Sequence, residues 1–394
     1  MLKSVSVLWV GLVTQWIRPI LKSFREVVGL TGPKSIASKN ALWTPTKGRR
    51  IELPEFAAVQ DKSKASHRAF TAIYGISKSK RKKVGRTFIR SGLVLGLFYG
   101  TALGGSIAGR DVPVPLYGVT LDDVSKPAPE GNSLAHVAHR PTVRIVFDPR
   151  TDASYYIKPI QQFRSVAYIM GELADSSYMR QYTASSIKTW TQNYTAALGN
   201  LVDIWEIGNE VNGDWLGSNT MAKIEAMYDV VASQDGATAL TFFYEGEPSD
   251  PHNCISTDNG GNDMFTWIAQ QFQLNQPTSQ RSVETEKIRL NVNYVLISWY
   301  PDQCPGENPN WPWVYTKLAG IFPKSKVGFG ELGTAHPQYG SSYEIDEINQ
   351  YYPMAKTVAG LPASYIGGYF WWYFAEEMVP WGTTLSSVFN AAIQ

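Results

Sequence analysis

From residue 113 onward, short runs rich in β-branched and aromatic residues alternate with longer stretches of helical character. This is the pattern of strand–helix units around a parallel sheet. The runs that read as strands are 116–121 (LYGVTL), 142–147 (TVRIVF), 165–170 (SVAYIM), 203–209 (DIWEIGN), 239–244 (ALTFFY), 292–299 (VNYVLISW), 326–330 (KVGFG) and 366–372 (IGGYFWW). Stretches such as 184–199 and 220–233 read as helices between them. Eight such units within 113–394 predict an α/β fold, a single (β/α)8 TIM barrel.

A TIM barrel builds its active site at the C-terminal ends of its strands, so the residues at those ends are the candidates for chemistry. They are Asp122 and Asp123, Asp148, Glu172, Glu210, Glu245, Tyr300, Glu331 and Trp372, in strand order. This crown of carboxylates and aromatics is poor in Lys and His and has no loop suited to cradling phosphate. It points to a neutral, polyhydroxylated substrate, with carboxylates to move protons and flat rings to cover sugar faces. Trp215, Trp299, Trp311, Trp313, Trp371, Trp372 and Trp381 are candidates for those rings, although core packing is the expected role of Trp205 and of at least half of these. Asp148 and Glu172 read as structural or loop residues. Gly328-Phe329-Gly330-Glu331-Leu332-Gly333 spells GxGxxG, the dinucleotide fingerprint. That motif has to open a helix, whereas Thr334-Ala335-His336-Pro337 follows here, so the glycines read as close packing around Glu331.

The chain ahead of the barrel is different material. Residues 1–90 hold 19 Lys/Arg against 4 Asp/Glu, whereas residues 91–394 hold 17 against 30. The acidic barrel portion argues against nucleic acid as a partner, because duplex binding requires cations facing phosphates. Residues 1–80 read as a basic, poorly ordered cytoplasmic extension, or as sequence upstream of the functional start. Within 81–110, the uncharged run 91–109 follows a basic flank. It reads either as a signal peptide cut after Ser106-Ile107-Ala108 or as a membrane anchor with Gly92, Gly96, Gly100 and Gly104 along one ridge. Both place the barrel in an extracytoplasmic location, secreted or periplasmic or tethered to the membrane. Cys254 and Cys304 form no CxxC and the five histidines no HExxH, so neither a metal nor another cofactor is expected. The two cysteines fall in the loops after strands five and six, where a disulfide bracing the cleft rim is predicted. A monomer is expected.

Asn209-Glu210 in WEIGNEVN and Glu331 in GFGELG carry a resemblance. The chain from about 113 to 394 resembles the clan of retaining glycoside hydrolases with (β/α)8 barrels that contains cellulases, β-mannanases and β-xylosidases. The resemblance implies Glu210 as acid/base and Glu331 as nucleophile of a double displacement on an oligo- or polysaccharide. It also implies Asn209, Tyr300, Arg144 and a strand-eight tryptophan, Trp371 or Trp372, as substrate-binding or site residues, and Trp299 joins them as one of the candidate rings. Retention needs two carboxyls about 5 to 5.5 Å apart. Glu331 is expected to stay ionised beside Arg144 and Tyr300, and Glu210 to hold a proton through burial and the charge of Glu331. Glu206, four residues before Glu210, has the same strand parity. It is expected deep in the barrel, paired with a basic or hydroxyl group such as Arg144. The alternative function is a non-catalytic polysaccharide-binding protein on the same scaffold.

Overall fold

The computed structural model describes residues 105–255, 262–335 and 341–394. The extension 1–80 and most of the segment 81–110, with its signal or anchor run, lie outside the described residues. Among the described residues no helix is long and apolar enough to cross a membrane.

Eight parallel strands close into a barrel in the order in which they occur in the chain. They are β1 (Leu116–Leu121), β2 (Thr142–Val146), β3 (Tyr168–Glu172), β4 (Ile204–Glu206), β5 (Thr238–Phe243), β6 (Tyr294–Trp299), β7 (Lys326–Leu332) and β8 (Gly367–Trp371). Helices such as Ala184–Leu198 and Thr220–Ala232 return the chain outside the sheet, close to the expected spans. The third strand starts three residues later than its apolar run suggests. Val166 and Ala167 still donate their amides to Phe163, so they finish the preceding helix rather than joining the sheet. Glu172 is therefore the last residue of β3 and not a loop residue.

Every strand is buried along nearly its whole length, and alternation separates two layers. Outward positions such as Val119, Ile145, Ile169, Trp205, Phe242, Ile297 and Phe329 belong to the large core between sheet and helices. Inward positions such as Leu116, Met170, Ile204, Ala239, Leu296 and Phe370 form a smaller apolar floor in the barrel. One step higher, the inward positions turn polar: Thr120, Arg144, Glu172, Glu206, Thr241 and Ser298.

Two irregularities decide which side chains reach this polar layer. Between Ile297 and Ser298 the register with β7 shifts, so that Ile297 lies opposite Phe329 but Ser298 lies opposite Glu331. A bulge of this kind re-aims the side chain that follows it. Gly330 makes it possible, because a Cβ there would lie 2.8 Å from both Leu296 and Thr241. In β8, Gly367, Gly368, Tyr369 and Phe370 all have positive φ, and pairing with β1 skips between Tyr117 and Val119. A Cβ on Gly368 would lie 2.0 Å from the Phe329 carbonyl oxygen, so only glycine fits there.

The barrel begins before residue 113. Ile107 is buried in the core, and its amide donates to the Gln234 carbonyl. The Arg110 side chain grips the Asp203 carboxylate at 2.6 Å. The small-residue stretch Ser106-Ile107-Ala108 thus belongs in part to the barrel. Cys254 and Cys304 form a disulfide with Cα atoms 5.1 Å apart, joining the loops after β5 and β6.

Candidate active site

Arg144 organises the polar layer. It has no exposed surface, and each of its guanidinium nitrogens faces a different carboxylate. Nε donates to Glu206 Oε2 at 2.7 Å, Nη1 donates to Glu331 Oε2 at 2.8 Å, and Nη2 approaches Glu172 Oε2 at 3.0 Å. The other oxygen of Glu206 accepts from the Thr241 hydroxyl, and the other oxygen of Glu331 accepts from the Tyr300 hydroxyl. The Trp372 ring lies beside the guanidinium, its centroid 5.7 Å from Cζ. This is a site for a single cation shared by three acids.

Glu210 is held separately. Its Oε2 accepts from Ser176 Oγ and its Oε1 from Ser298 Oγ, both at 2.7 Å. β4 ends at Glu206, and Glu210 has φ +48°, in the left-handed region that L residues rarely adopt. The shared parity of 206 and 210 therefore does not operate through a continuous strand. The chain leaves the sheet and turns Glu210 into the mouth by backbone geometry held in place by Ser176, Ser298 and the bond from Asn212 to Phe243. Glu206 is fully buried, whereas Glu210 and Glu331 keep 9 % and 4 % exposure, so only the latter two can meet a ligand.

Asn209 is 1 % exposed, and its side-chain carbonyl oxygen has no partner within the protein. A buried acceptor left open beside Glu210 suits a donated hydroxyl. Tyr300 and Trp372 are half-buried, and Gly333 leaves room for both, since a Cβ there would come within 3.2 Å of Tyr300 and 3.3 Å of Trp372. Tyr373 lines the same edge. By contrast Trp299 and Trp371 have no exposed surface and cannot offer a face to a sugar. Trp299 is an outward residue of β6 that donates its indole N–H to Tyr351, and Trp371 donates its own to Glu377. Trp311 is also core, against Trp299 and Phe329, while Trp313 stays 42 % exposed. Sequence reasoning missed Ser176, Ser298 and Thr241. Ser298 was findable, because it shares the inward parity of Tyr300 two residues on.

Burial dominates the electrostatics. It raises Glu210 above the ordinary carboxylate range, while the two serine hydroxyls and Arg144 oppose it. It also pushes Glu331 up to about 8; Arg144 and Tyr300 act against burial, and the nearby charge of Glu210 adds to it. The expected ionised Glu331 near neutrality is therefore not what the site favours, because burial outweighs Arg144 and Tyr300. Burial, and then the charge of Glu331, keep the Tyr300 phenol protonated as a donor. Replacing Ser298 by alanine removes a donor to the anionic form of Glu210, and is expected to move the alkaline limb of any pH–rate profile upward by about one pH unit. An unmoved limb would show that Ser298 does not tune Glu210.

The fold and site together define a (β/α)8 barrel with two slightly exposed glutamates, Glu210 and Glu331, at its mouth. No family model and no curated protein matches the chain. Solved structures do match. Saccharomyces cerevisiae Gas2p in complex with laminaritriose and laminaritetraose is 11 % identical over 71 % of this chain and 64 % of that one, with a TM-score of 0.42. Its complex with laminaripentaose gives 12 % identity, the same coverages and 0.44. A GH5-4 broad specificity endoglucanase from an uncultured bacterium gives 11 % identity over 74 % of this chain and 92 % of that one, with a TM-score of 0.41. The matched region spans less than two thirds of the Gas2p chains. At these identities and scores the likeness adds nothing to the barrel already described, and function must be read from the site's own residues.

Proposed function

We propose that the chain is a retaining glycoside hydrolase acting on an oligo- or polysaccharide, with Glu331 as nucleophile and Glu210 as acid/base. The observation that carries this reading is the pairing of two buried acids with different supports in one mouth. Glu331 is bound through one oxygen to a cation and through the other to a phenol. Glu210 is held only by neutral hydroxyls. The first support favours a carboxylate and the second tolerates a carboxylic acid.

In the first step an oxygen of Glu331 attacks the anomeric carbon. The bond from that carbon to the leaving oxygen breaks as Glu210 gives its proton to that oxygen. In the second step Glu210, now a carboxylate, takes a proton from water, whose oxygen displaces Glu331 from the anomeric carbon. Asn209 accepts from a sugar hydroxyl, and Trp372, Tyr300 and Tyr373 border the ring. An extracytoplasmic location fits the Cys254–Cys304 disulfide and the basic flank before the run 91–109.

Turnover on a panel of aryl glycosides and polysaccharides tests the proposal. Cleavage with net retention of anomeric configuration is expected. Inversion would reject the double displacement, and saturable binding of a polysaccharide without cleavage would favour the non-catalytic alternative. Because attack needs the Glu331 carboxylate and departure needs the Glu210 proton, kcat/KM is expected to rise and then fall with pH, with its maximum above the ordinary carboxylate range because burial raises both acids. A maximum near pH 5 would contradict this assignment of the pair.

A further inference from the structure

Glu172 takes no part in the steps above. Its side chain has no exposed surface, and neither of its oxygens accepts a hydrogen bond. That makes it unlike its two neighbours on Arg144. Glu206 and Glu331 each receive one N–H from the guanidinium and one hydroxyl. Arg144 Nη2 approaches Glu172 at 3.0 Å without completing a hydrogen bond, and that nitrogen is itself left without a partner. A buried carboxylate with no donor is costly, and the remedy open to it is protonation. The charged groups facing it are Arg144 from β2, Glu206 from β4, Asp175 from the turn that follows β3, and Glu331 from β7. Three of those four are acids.

We infer that Glu172 is a positioning residue that carries a proton in the resting site, so that the single charge of Arg144 serves only Glu206 and Glu331. Neutral Glu172 fills the place beside the guanidinium without drawing it away from the nucleophile. Burial acts in the same direction on its titration; the charge of Arg144 opposes it, and the charges of Glu206, Asp175 and Glu331 add to burial. The inference rests on the proposed role of Glu331.

Glu172→Gln replaces the neutral acid by an amide of equal charge and nearly equal shape. In the wild-type-minus-variant infrared difference spectrum near neutral pH, a protonated-carboxyl band that shifts in D₂O is expected. Carboxylate bands in its place would overturn the inference. The variant is expected to melt like the wild type near pH 5 and above it near pH 8, because unfolding of the wild type releases the Glu172 proton there, which favours the unfolded chain, and the amide has none to release. Failure of the variant to fold near pH 5 would also overturn it. The acid limb of kcat/KM is expected to stay in place. If Glu172 were charged, its loss would let Glu331 ionise about one pH unit lower. The spectrum and the melting curves need no substrate. A chain that cleaves nothing therefore sinks the glycosidase reading while still deciding the proton on Glu172.

Discussion

Replacing Glu331 by alanine is expected to lower kcat/KM on an activated aryl glycoside by about 10⁴-fold, equivalent to roughly 5.4 kcal/mol of transition-state stabilisation. The other two acids beside Arg144 cannot take its place, because Glu206 and Glu172 are fully buried. Azide fits the space the carboxylate vacates, and its attack on the anomeric carbon needs no second displacement. Added azide is therefore expected to restore turnover of the alanine variant and to yield a glycosyl azide of inverted configuration. Glu210→Gln is expected to lose less on this substrate, since an activated phenol departs without a proton, and more on a polysaccharide, where general acid catalysis contributes about 10² to 10⁴. Undiminished cleavage by the Glu331 variant would remove the proposed nucleophile. Azide rescue of a Glu210→Ala variant that yields a glycosyl azide of inverted configuration would exchange the two roles.

Arg144→Met is expected to cost stability as well as activity. The methionine fills much of the same space but leaves Glu206 and Glu331 without their shared cation. Removing one partner of a buried pair costs about 3–5 kcal/mol. In a domain of this size that corresponds to a loss in Tm on the order of 10 °C. The deficit is expected to depend on pH in a definite sense. Glu331 already titrates at about 8 in the folded chain against 4.5 for the free carboxyl, and loss of Arg144 raises it further. An acid raised in the folded state binds more protons there than when unfolded, so its contribution is complete below the unfolded value and is lost as pH climbs through the folded one. The variant is accordingly expected to lie closest to the wild type near pH 5 and furthest below it near pH 8. Calorimetry at the two pH values checks this, and equal deficits would mean that Arg144 does not neutralise these acids.

Much of this arrangement was legible in the chain itself. The eight strand runs and the helices 184–199 and 220–233 follow from periodicity, because each unit has to bury one face against the next. The position of Glu331 near the end of β7 follows from the same periodicity, whereas Glu210 lies four residues beyond the last residue of β4. Glu206 beneath Glu210 and paired with Arg144 follows from the cost of an isolated charge in the barrel. Strict alternation along β6 also carried more than was drawn from it: Ser298 and Tyr300 face inward, so Trp299 between them must face the helices.

Other features are set only where strands meet. Glu331 points inward because a register shift against β6 turns it opposite Ser298, and Trp371 faces outward because β8 runs through four positive φ angles beside β1. Neither irregularity leaves a periodic trace, since each depends on how closely a neighbouring backbone approaches. The same holds for Ser176, whose hydroxyl reaches Glu210 from a separate loop. The protonation of the pair likewise depends on a count that no local stretch contains. Four buried glutamates from three strands and a turn converge on one arginine. By itself the sequence determined the barrel and the two acids at its mouth, because burying apolar faces is a local, periodic requirement. Only the tertiary structure decided where those acids point and how one cation is divided among them, because both depend on contacts between residues far apart in the chain.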